Sequence, residues 1–164
     1  MEKNSRVCCF IGHREISESD KLKDMLYENI ERFITKENVR TFLFGSKSQF
    51  DDLCYETVTM LKEKYPYIKR VYIRAEFPHI DDSYKEYLLE KYEETYYPEN
   101  LINAGRAVYV KRNYEMIDNS DFCVCYYNID YQPQKRKSGA GIAFAYAVKR
   151  KKAIINTAEI IADV

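Results

Sequence analysis

Apolar and polar positions along the chain switch between two periods. Residues Arg6 to Gly12 (RVCCFIG) form a short run rich in β-forming residues. A polar turn follows, containing Ser17-x-x-Asp20, a near match to a capping box. From Asp20 to Ile34, Leu22, Met25, Leu26, Ile30, Phe33 and Ile34 recur at helical spacing with charges opposite. Arg40 to Gly45 (RTFLFG) returns to the strand pattern. Phe50, Leu53, Cys54, Thr57, Val58, Leu61 and Tyr65 then recur at helical spacing as far as Pro66. Ile68 to Ala75 (IKRVYIRA) predicts a third strand. Runs this apolar suit strands covered on both faces, so a parallel sheet with right-handed crossovers is expected.

The second half resumes the rhythm with a short strand expected at Ala107 to Val110, a helix from Lys111 to about Asn119, and a core strand at Asp121 to Tyr127. A helix over Gly139 to Lys151 and a last strand at Ala153 to Asn156 complete the pattern. The prediction is an α/β, Rossmann-like, doubly wound fold: a mainly parallel sheet of about five or six strands with helices on both faces. Residues 76–105 interrupt the pattern. They carry Tyr84, Tyr87, Tyr92, Tyr96 and Tyr97 and a net charge of −6, and are expected to form a helical insertion against the sheet edge within a single domain spanning 1–164.

Composition narrows the classes. The 164 residues carry 26 Lys+Arg and 26 Asp+Glu, so bulk charge does not select nucleic acid or anionic membrane. That balance is a cancellation between regions, because residues 106–152 sum to +6. No apolar run approaches the about 20 residues that span a bilayer, and no leader pattern follows the N-terminus, so a cytoplasmic location without membrane partners is expected. Cys8, Cys9, Cys123 and Cys125 lie in apolar β segments and read as reduced structural thiols. His13 and His79 are far apart and no cysteine pair has zinc-ligand spacing, so no metal is expected.

Open α/β sheets bind ligands beyond the carboxyl ends of their strands. Three turns fall at that edge: Gly12-His13-Arg14 after the first strand, Gly45-Ser46 ahead of Asp51 after the second, and Ser138-Gly139-Ala140-Gly141 at a helix start. Glycines allow close backbone approach, and a helix start offers free N–H groups to an anion. His13 reads either as an anion donor or acid–base group or as a solvated loop residue, and Asp51 as a helix cap. Arg112 and Asn113, expected to open the next helix, place a cation where an external anion or a carboxylate would rationalise it. A P-loop, a nucleophile elbow and a complete dinucleotide fingerprint are absent, the last because Phe144 stands at the third glycine position.

Taken in order, Cys9-Phe10-Ile11-Gly12-His13-Arg14, Phe44-Gly45 with Phe50-Asp51, Arg112-Asn113 with Met116-Ile117-Asp118 and Ser120-Asp121, and Ser138-Gly139-Ala140-Gly141-Ile142-Ala143 with Tyr146-Ala147 resemble the YpsA-like family of the SLOG superfamily. DprA and the lysine-decarboxylase-like LOG phosphoribohydrolases belong to the same superfamily. The resemblance implies a nucleotide-like ligand at the strand ends and no settled reaction. Arg112 fits the arginine of the LOG enzymes, but Ala143, Phe144 and Ala145 occupy the positions where their glutamate should follow. N-glycosidic hydrolysis commonly relies on such a carboxylate.

The leading expectation is therefore sensor-like binding of an anionic, nucleotide-like small molecule through Gly12, His13, Arg14, Gly45, Ser46, Asp51, Arg112, Asn113, Ser138, Gly139, Ala140 and Gly141, with no obligatory cofactor. The alternatives are a LOG-like N-glycosidase using Asp51 or Glu76, and DprA-like single-stranded nucleic-acid binding through Lys135-Arg136-Lys137 and Lys149-Arg150-Lys151-Lys152. The Tyr-rich segment and the habit of the superfamily suggest a homo-oligomer, a dimer foremost.

Overall fold

The computed structural model describes residues 4–45, 47–128 and 139–162, the last three by backbone alone. Six strands form one parallel sheet: β1 (Arg6–Gly12), β2 (Val39–Phe44), β3 (Lys69–Ile73), β4 (Glu94–Tyr96), β5 (Phe122–Tyr126) and β6 (Ala153–Asn156), in the order β4-β3-β2-β1-β5-β6. The connecting helices are α1 (Asp20–Lys36), α2 (Gln49–Lys64), α3 (Asp82–Lys91), α4 (Val108–Asp118) and α5 (Gly139–Lys149), with α6 (Thr157–Ala162) closing the described chain. The winding reverses between β1 and β5, so the switch point lies beside the carboxyl end of β1.

Strand alternation divides the interior into two layers. Cys8 and Phe10 of β1 face a core with α1 and α2, where Phe10 stacks between Phe42 and Phe44 at 6.0 and 5.1 Å. Cys9 and Ile11 face the opposite core, with Met116 and Ile117 of α4 and Ala143 and Ala147 of α5. Two small alanines let α5 sit close to the sheet. All five cysteines are free and buried. Burial is the foremost influence on Cys8, Cys54 and Cys125, and pushes all three thiols up, which keeps them protonated.

Element boundaries follow local chemistry. Ser19, rather than the expected Ser17, caps α1 by accepting from the Leu22 N–H at 3.1 Å. Asn38, at φ 56°, ends the same helix in the left-handed region, which asparagine tolerates. Ser48 caps α2 by accepting from the Asp51 N–H at 3.0 Å, so the capping role expected of Asp51 belongs to Ser48. Asp51 lies in the first turn, favourable for the helix dipole.

The strand expected at Ala107 to Val110 does not form. Those residues enter a 3-10 turn and the first turn of α4, where Tyr109 and Arg112, three residues apart, share a face. The strand in this region is β4, within residues 76–105, so that stretch is a helix plus an edge strand rather than helix alone. Arg70 and Glu93 fasten it, the guanidinium donating from Nη2 to Oε2 at 2.8 Å and from Nε to Oε1 at 3.2 Å. Its tyrosines divide: Tyr92 packs on Tyr72, Tyr55 and Phe44 at 5.2, 5.1 and 6.1 Å, whereas Tyr87 is exposed. Among the described residues no helix is long and apolar enough to cross a membrane.

Glycine is required at position 12 for packing. A Cβ there would come within 2.4–2.6 Å of Phe50, the first apolar residue of α2. At Gly139 an added Cβ would meet nothing within 4 Å. Gly12→Ala is expected to lower stability in urea denaturation by about 1–3 kcal/mol, while Gly139→Ala stays within about 0.5 kcal/mol of wild type.

Candidate functional site

The carboxyl ends of β1, β2 and β3 converge with α4 and the start of α5 on a cavity of about 690 Å³. Its walls include Gly12, His13, Arg14, Gly45, Asn113, Gly139, Ala140 and Arg112. Four separate stretches of sequence thus meet in one cleft. Ser46 and Ser138 lie outside the described residues, as does the tract Lys135 to Lys137. Asp51 is buried in the first turn of α2, behind Ser48, which reaches the cavity.

Arg112 lies in the second turn of α4, not at its opening as expected, and the earlier helix start carries it beneath the end of β2. Only 6% of the residue is exposed. Its Nη1 donates to the carbonyl of Gly45, and Nε and Nη2 both point at Asn113 Oδ1 at 3.4 Å. The guanidinium carbon is 5.7 Å from the Tyr109 ring centroid. Gly45 makes room for it, because a Cβ there would come within 2.8 Å of Met116 Sδ and 2.9 Å of Arg112 Cδ. Burial pulls the guanidinium below its ordinary value, while Tyr72, Asp51, Tyr109 and Glu76 pull the other way. It remains a cation. Among the described residues no carboxylate lies within ion-pair distance of it.

Sequence reasoning missed most of the opposite wall. Tyr72 and Ala75, at and just beyond the end of β3, line the cavity with Lys47, Glu15, Glu76 and Tyr109. Burial foremost pushes the Tyr72 phenol up to about 12, so it stays a hydrogen-bond donor at neutral pH. Glu76 Oε1 accepts from the Tyr109 hydroxyl at 3.2 Å, and Oε2 lies 3.5 Å from Lys47 Nζ. Tyr109 was legible only if α4 began three residues earlier than the pattern suggests. Glu76, on the turn after β3, was visible only as a spare carboxylate.

His13 is buried rather than solvated. Its Nε2 accepts from the Asn128 N–H at 2.9 Å, and its backbone N–H donates to Tyr126 O at 3.2 Å. The imidazole therefore ties the end of β1 to the loop after β5. That loop is held from the other side by Asn156, whose Oδ1 accepts from Tyr127 N at 3.0 Å and whose Nδ2 donates to Tyr127 O at 2.9 Å. Thr157 Oγ donates to Cys125 O at 2.8 Å. These bonds fix where the chain leaves β5.

Burial lowers the His13 value from its ordinary 6.5. The unfolded chain then binds the proton first, so the contribution of His13 is fully present above about pH 6.5 and is lost as pH falls toward the folded value. Urea titrations between pH 7.5 and 5.5 are expected to show falling stability in wild type. A smaller fall is expected in His13→Gln, which can accept the Asn128 bond without titrating.

The chain, 14% identical over the aligned region, shares its fold with DNA processing protein A from Helicobacter pylori, a protein with a described single-stranded DNA binding mode; the TM-score is 0.55, and the match covers 98% of this chain and 73% of that one. None of the curated proteins compared with the sequence matches it. The family model YpsA matches residues 4–158, nearly the whole length, and the chain belongs to the YspA SLOG family.

Proposed function

We propose that the cleft binds an anionic, nucleotide-like small molecule and acts as a sensor rather than through a fixed reaction. The observation that carries this is Arg112, a buried cation with no carboxylate in ion-pair distance among the described residues, lining a cavity of about 690 Å³. Burying a charge without an ion-pair partner is costly in low dielectric even where neutral groups hydrogen-bond it, and a charge-assisted contact from a phosphate or carboxylate would offset that cost. The N-terminus of α5, reached through Gly139 and Ala140, adds backbone donors and a favourable dipole on the same cavity. A cavity of this size falls within the about 300–1,000 Å³ typical of small-ligand sites.

An N-glycosidase reading is less favoured because Ala143 and Phe144 of α5 pack into the core and supply no carboxylate of the LOG pattern, and of Asp51 and Glu76 only Glu76 reaches the cavity. A single-stranded nucleic-acid reading rests on the fold shared with DNA processing protein A. The tract Lys149 to Lys152 does not serve the cleft, because it follows α5 into β6 at the opposite edge of the sheet, where Arg150 pairs with Asp118 at 3.0 Å.

Calorimetry with nucleoside monophosphates, cyclic nucleotides and ADP-ribose derivatives tests the proposal. At least one is expected to bind wild type, with affinity falling about 30-fold or more in Arg112→Met, the equivalent of about 2 kcal/mol. The same substitution is expected to change the stability of the unliganded protein by no more than about 1–3 kcal/mol, because a buried charge is removed while the Gly45 carbonyl loses its partner. No binding by any member of the panel, or undiminished binding by Arg112→Met, overturns the proposal. Binding of single-stranded DNA that persists at physiological salt would favour the nucleic-acid reading.

A further inference from the structure

The same cleft is electrically two-sided, and this inference rests on the proposed function. At its floor, Arg112 supplies the cation and Tyr72 a protonated hydroxyl. At its rim stands Glu76, one tyrosine ring away: the Tyr109 ring packs against the guanidinium, and its hydroxyl donates to Glu76 Oε1 at 3.2 Å. We propose that Glu76 is the specificity-determining residue of this site, selecting ligands that place one anionic group on Arg112 and present hydroxyl or amino donors to the rim.

The charge inventory supports a single anionic group. Among the described residues lining the cavity, Arg14, Lys47 and Arg112 are cationic and Glu15 and Glu76 anionic, which leaves a small positive excess. A ligand with one phosphate ester matches that excess. A second phosphate group extending from Arg112 toward the rim meets Glu76, and like charges at such separations weaken binding steeply. A ribose diol in the same place donates to the carboxylate instead. An ionised carboxylate offers about four acceptor positions. Tyr109 takes one and the long Lys47 contact another, so Glu76 keeps acceptor capacity for a ligand. The Lys47–Glu76 pair does not account for the carboxylate, since both side chains are solvent-exposed and the separation is 3.5 Å; exposed pairs of this kind contribute little.

Competition calorimetry with ribose 5-phosphate and magnesium-free pyrophosphate tests this on wild type, Glu76→Gln and Arg112→Met. Wild type is expected to prefer ribose 5-phosphate by about tenfold or more. In Glu76→Gln the preference is expected to fall by a similar factor, chiefly because pyrophosphate gains affinity, while Arg112→Met weakens both probes together. A merely structural Glu76 would weaken both probes equally and leave their ratio unchanged. An unchanged ratio, or no preference in wild type, overturns the inference and leaves the proposed function standing. Failure of both probes to bind wild type overturns this inference and leaves the proposed function to the nucleotide panel, whereas binding indifferent to Arg112→Met overturns the proposed function and this inference with it.

Discussion

The contact between the Arg112 guanidinium and the Gly45 carbonyl organises the cavity at the carboxyl ends of the strands. It joins the second turn of α4 to the carboxyl end of β2 and places a full positive charge beneath that strand end. Several choices of residue follow from it. Position 45 has no room for a side chain because the arginine stem and Met116 already occupy that space. Asn113 turns its carbonyl oxygen toward the same guanidinium, and Tyr109 covers it one turn earlier. One peptide carbonyl, one amide and one ring orient the cation without neutralising it. Geometry is settled while charge stays available, the combination expected of a preorganised anion site.

The β-α alternation was readable because parallel strands covered on both faces need nearly continuous apolar runs, and RVCCFIG, RTFLFG and DFCVCYY supply them. Errors fell where burial is thin. Ala107 to Val110 looked extended because β-branched and aromatic residues cluster there, but Tyr109 and Arg112 fix a helical face by packing at the cleft. Glu94–Tyr96 went unrecognised because a three-residue edge strand has no alternation to detect, and its position depends on Arg70 and Glu93, which are far apart in sequence. Propensity yielded to tertiary contact in both places.

The glycines of the site separate by physical role in a way that spacing alone does not show. Gly12 is dictated by the Phe50 ring and Gly45 by Arg112, so both are packing requirements that happen to border the cavity. Gly139 is open and stands at a helix start facing the cleft, where small size leaves the backbone donors accessible. His13 shows the same separation between position and role: it lines the cavity, yet its Nε2 lone pair is engaged by the Asn128 amide. An imidazole committed in this way stabilises a loop. The cations that line the cavity are Arg112 and, at the exposed rim, Arg14 and Lys47.

The pairing of β1 with β5 also dictates an order of assembly during synthesis. Cys9 and Cys123 are register partners separated by 114 residues, so the central strand leaves the ribosome early but keeps one edge unpaired until most of the chain has followed. Until then, β1 to β4 can associate only as a half-sheet with the face beneath α4 and α5 incompletely covered, a state with exposed apolar surface and a free strand edge. Closure of such long-range parallel pairing is intrinsically slow. The cleft, which needs α4 and the start of α5 as well as the ends of β1 and β2, is consequently among the last parts of the nascent protein to take shape.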